Sequence, residues 1–93
     1  MAWYCFRQNN SGGYYIGNHY VIIEADNARE ANEIAQANNI YFNGCYNGLD
    51  CKCCGDRWSE VSDYDATNEP SIYGDRHVVF EKVVSGEAKV IPK

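Results

Sequence analysis

The chain has no apolar run near the ~18 residues that a membrane-spanning helix needs. Its opening, MAWYCFRQNN, lacks the charged start and long apolar core of a signal peptide. Both absences predict a cytosolic protein with no membrane partner. Positive charge is also scarce: eight Lys and Arg face thirteen Asp and Glu, for a net charge of −5. Nucleic-acid binders displace phosphate counterions with clustered Lys and Arg, so general DNA or RNA binding is disfavoured. An acidic chain is steered instead towards a basic protein surface. Catalytic signatures are missing. His19 and His77 have no nearby Ser or Asp pattern of a triad. NNSGG lacks the Lys-Ser/Thr ending of a phosphate loop, and Asp63, Asp65 and Glu69 lack EF-hand spacing. The expectation is a protein that is not an enzyme.

What is present is a chain of 93 residues, the size of one domain, with 45% hydrophobic residues. A chain this short buries a modest share of its surface, so a metal, a disulfide or a partner chain would help it. Tyr dominates the aromatics, with eight against three Phe and two Trp. Tyr suits strands and half-buried interfaces, because its ring is apolar and its tip is polar.

AWYCFR at 2–7 and HYVIIEA at 19–25 read as strands separated by turn-forming QNNSGG, which predicts an antiparallel hairpin. Asn27 followed by Glu30 has capping-box spacing, and Ala28, Ala31, Ile34 and Ala35 recur with the period of a helix. Three of those four are Ala, so the helix must pack closely on a sheet. Asn38 and Asn39 end it. Trp58–Ser62 reads as a short strand, Ser71–Tyr73 as a brief extended piece, and His77–Val84 (HVVFEKVV) as the last strand. The prediction is a small α+β domain over 1–84. It has an antiparallel or mixed sheet, one helix on one face, the order β-β-α-β-β and an irregular Cys-rich loop. Residues 85–93 are expected to form a loosely attached tail.

The segment 43–57, NGCYNGLDCKCCGDR, holds four Cys and three Gly and cannot build a core of its own. Cys51-x-x-Cys54-Gly55 has the spacing of a zinc knuckle. Cys45 is a third candidate ligand, and the fourth is His77, His19, Cys5 or Cys53. Cys45, Cys51, Cys54 and His77 form the metal set for a structural zinc. The alternatives are buried free thiols and, with less support, a redox dithiol. An odd count of five Cys argues against a complete disulfide framework. Arg57 can be an anion contact or a structural ion-pair partner. Trp58 can be a stacking wall or part of the core.

With QNNSGG, VIIEADNAREANEIAQANNIYFNG, CKCCGDRW and PSIYG in view, the chain resembles an uncharacterised family of small tailed-bacteriophage proteins. The likeness covers most of residues 4–74. It implies expression in the cytoplasm of an infected bacterial host, and it carries no known activity. The functional expectation is an accessory protein that binds and blocks a host factor, with a defence component as one candidate, or sequesters a small nucleotide-type signal. Arg57, Trp58, Tyr64 and Tyr73 are the candidate contacts. The alternatives are a zinc-stabilised module in a phage assembly and, with least support, a nucleotide hydrolase or thiol oxidoreductase. A homodimer is a further candidate state, because a small sheet with an open edge often pairs.

Overall fold

Alternation sets the sheet. The structure is a computed structural model that describes residues 1–9, 15, 17–50, 52 and 55–93. Strands β1 (Ala2–Arg7) and β2 (Tyr20–Ala25) pair antiparallel, with Trp3 opposite Glu24 and Phe6 opposite Val21. Side chains on a strand alternate between faces. Tyr4, Phe6, Val21, Ile23 and Ala25 therefore enter one core, and Ile22 enters another.

Helix α1 (Ala28–Ala37) covers the first face. Asn27 caps it by accepting from the Glu30 amide, while the Glu30 carboxylate accepts from the amide of Asp26, one residue before the cap. Ala28, Ala31 and Ala35 are buried and Ile34 is partly buried, so the expected narrow stripe lies against the sheet. Asn39 adopts the left-handed conformation beyond the helix end, with φ 68°. Ile40, Phe42 and Trp58 complete this core.

The second half departs from the expectation. His77–Val84 is not a strand: residues Val79–Ser85 form helix α2. Valine-rich segments favour strands only where a sheet position is available. Here Val79 instead tucks against Ile22, Ile72 and Ala88 on the second face of the sheet. Gly86, at φ 87°, ends the helix in the left-handed region that suits glycine.

The segment read as a loose tail carries strand β3 (Ala88–Ile91), which pairs parallel with β2. The sheet is mixed, in the order β1-β2-β3. It is sandwiched between two helices rather than covered by one. Among the described residues Trp58–Ser62 forms no strand. Thr67 lies at the outer edge of β1, where it and Trp3 exchange backbone hydrogen bonds of 2.9 Å each way, and Ile72 packs into the second core beside Ile22. No helix among the described residues is long and apolar enough to cross a membrane.

Candidate functional site

The Cys-rich stretch is tied down by carboxylates. Asp50 has a fully buried side chain, and its Oδ2 accepts from the Arg57 amide at 2.8 Å. Its Oδ1 accepts from the Tyr41 hydroxyl at 2.9 Å and lies 3.5 Å from Nε of Arg57. The Arg57 side chain is 3% exposed, and its Nη1 donates to Gln8 at 2.7 Å. Gln8 in turn donates to the carbonyl of Asn18. At the neck of the same loop Asp56 accepts from the Cys45 amide at 2.8 Å, and Asn9 donates its amide to the Arg57 carbonyl. Burial, followed by the hydrogen bond to Asp50, pushes the Tyr41 hydroxyl above its ordinary pKa.

This network assigns roles. Arg57 is the buried counter-ion of Asp50 and ties that carboxylate to Gln8, just past the end of β1. Trp58 belongs to the α1 core. Both also line a cavity of about 340 Å³ beside the last turn of α1. A core-poor segment needs a staple, and Asp50 and Asp56 supply one.

Of the expected metal set, Cys51 and Cys54 lie outside the described residues, as does the alternative ligand Cys53. Cys45 is a half-buried thiol near Asp56, and His77 is exposed just before α2. Among the described residues no three His, Cys, Asp or Glu side chains come together as a metal-binding group. Cys5 is partly buried on the α2 side of the sheet, and burial raises its thiol to about 11.

Tyr64 and Tyr73 lie on the strap that follows Val61. Tyr64 is fully exposed at the centre of a 3-10 turn, Asp63–Asp65. Both flanking carboxylates are used as braces: Asp63 accepts from the Ala28 amide at the start of α1, and Asp65 accepts from the Ser62 amide. Tyr73 is 72% exposed in a left-handed turn with φ 54°. Arg7 stacks over its ring at 4.5 Å, and its edge meets Tyr20. The strap therefore presents Tyr64 on a braced turn and Tyr73 packed against Arg7 and Tyr20, among Asp63, Asp65, Glu69 and Asp75.

Sequence reasoning singled out the tyrosines and Arg57 and did not single out Asp50, Gln8 or Tyr41. Residues that meet only through the fold leave no spacing signal. A family model described as "Domain of unknown function (DUF7296)" matches residues 1–91. The chain belongs to that family. No curated protein and no solved structure matches it. The buried Asp50–Arg57 pair and the braced Tyr64 are thus features of a DUF7296 chain.

Proposed function

We propose that this DUF7296 chain is a non-enzymatic binding protein that docks its acidic, tyrosine-bearing strap on a basic surface of a host protein and blocks it. On the likeness described above, the setting is the cytoplasm of a phage-infected bacterium, and a host-defence factor is a fitting target. The observation that carries the reading is Tyr64, fully exposed yet held on a turn braced by Asp63 and Asp65. An exposed Tyr contributes little to folding. In an interface it offers a large amphipathic surface at low entropic cost, more so on a turn whose backbone is already braced. The surrounding carboxylates and the net charge of −5 favour a basic partner.

The test is affinity capture of the tagged protein in infected cells, followed by mass spectrometry. A stoichiometric host protein with a basic surface is expected. Raising salt from 0.1 M to 1 M, which shortens the screening length from about 10 Å to 3 Å, should release it. Tyr64→Ala should weaken capture by roughly 30-fold or more, as for a central interface aromatic, while leaving the melting temperature unchanged. Capture that survives both Tyr64→Ala and Tyr73→Ala, or the absence of any stoichiometric protein, overturns the proposal.

A further inference from the structure

Lys89 occupies a position that strand alternation assigns to the core. In β3 it sits beside Val21, and the next residue on the same face, Ile91, packs into the α1 core next to Ile23. An apolar residue is the ordinary choice at such a position, yet Lys89 is exposed. The reason is that the two layers do not close there. The last turn of α1, the β2–β3 face and the Arg57–Trp58 segment leave the cavity of about 340 Å³ between them.

The lining of this cavity is selective. Val21, Ile40, Trp58 and Ile91 supply an apolar interior, with Tyr41 as a second aromatic wall. Among the described residues no Asp or Glu lines it, although the chain has thirteen acidic residues. Arg57 contributes a wall whose charge is balanced by Asp50. Lys89 is then the lining cation with no ion-pair partner among the described residues. The carbonyl end of α1 lies close by, and three of its carbonyls are engaged. Ile34 accepts from the Asn38 side chain, Ala35 from the amides of Asn38 and Ile40, and Gln36 from the amide of Asn39.

We propose that this cavity binds a small organic anion: a compact planar or apolar body seated against Trp58, Ile40 and Ile91, with one carboxylate or phosphate on Lys89. Its volume lies at the lower end of the range for small-molecule sites, about 300–1,000 Å³. Burying the ring removes water from apolar walls, and the single cation gives orientation. The site lies beside β3 on the α1 face of the sheet, whereas Tyr64 sits by the first turn of α1, where Asp63 accepts from the Ala28 amide. The two bindings are separable.

Phenylacetate and uridine 5′-monophosphate are the probes, with 2-phenylethanol, uridine and inorganic phosphate as controls that lack either the charge or the ring. Calorimetry reports affinity. Fluorescence of Trp58 reports the site in a Trp3→Phe background, since Trp3 lies on the other face of the sheet. At least one anionic probe should saturate at sub-millimolar concentration and quench or shift Trp58. Its neutral counterpart and phosphate alone should bind roughly tenfold more weakly or worse. Lys89→Gln, at an exposed position, should weaken the probe by a similar factor without lowering the melting temperature. Which probe wins distinguishes a carboxylate from a phosphate ligand. Tyr64→Ala should bind the probe as the parent does. No saturation by either anion, or equal binding by Lys89→Gln, overturns the inference whatever the outcome of partner capture.

Discussion

The Asp50 carboxylate occupies the space that a side chain at Gly44 would need. A Cβ placed there would overlap the carboxylate and come within 2.8 Å of the Tyr41 ring. The backbone of Gly44 also serves the loop, because its carbonyl accepts from the amides of Leu49 and Asp50. Glycine is fixed here by close approach.

Gly44→Ala is therefore expected to destabilise the protein by about 1–3 kcal/mol through overpacking. Asp50→Asn, which leaves Arg57 charged and buried beside a neutral amide, should cost about 3–5 kcal/mol. Urea denaturation of each variant measures both. An Asp50→Asn variant as stable as the parent would show that Arg57 does not depend on this carboxylate.

Cys5 makes stability depend on alkaline pH. Burial raises its thiol from 9.0 to about 11, with Arg7 acting weakly in the other direction. A group that ionises later when folded contributes stability that is fully present below its unfolded pKa and is lost as pH rises through its folded one. The parent should thus lose stability between pH 9 and 11. The slope should be shallower in Cys5→Ala, which has no thiol to ionise even if it starts from a lower value. Parallel urea midpoints at pH 8 and pH 10.5 make the comparison, and equal slopes would contradict it.

Removing everything after Ser85 should abolish cooperative unfolding. That truncation deletes β3, uncovers one side of β2, and removes Glu87, the 3.0 Å partner of Lys82. Removing only Pro92 and Lys93 leaves β3 intact. It deletes ion pairs from Lys93 to Asp26 and Glu30 on the surface, so the loss should be about 0–1 kcal/mol. Near-UV circular dichroism during urea titration separates the two cases.

The first half of the fold was legible because its signals are local. Asn27 and Glu30 mark a helix start, the Ala stripe marks its packing face, and the aromatic and β-branched runs AWYCFR and HYVIIEA around turn-forming QNNSGG mark a hairpin. The second half was harder, because HVVFEKVV satisfies two patterns. Its β-branched content suggests a strand, while Val79 with Val83 and Phe80 with Val84 also fit the four-residue step of a helix. Gly86 as a helix stop was the available tie-breaker. AKVI is four residues long and pairs with a strand from the start of the chain, and no local pattern announces such a partner. The same holds for the candidate sites. Tyr64 stood out by type, whereas Asp50 and Lys89 acquire their meaning only from what the fold places beside them.

The seam between β2 and β3 has a kinetic consequence. Beside it, Asn18 donates to the carbonyl of Gly86, 68 residues further along. Closing so long a loop is entropically costly before any contact rewards it, whereas the β1–β2 hairpin and α1 are assembled from near neighbours. The seam is therefore made late and is the first to part. A substitution that weakens β3 is then expected to speed unfolding and to leave the folding rate nearly unchanged.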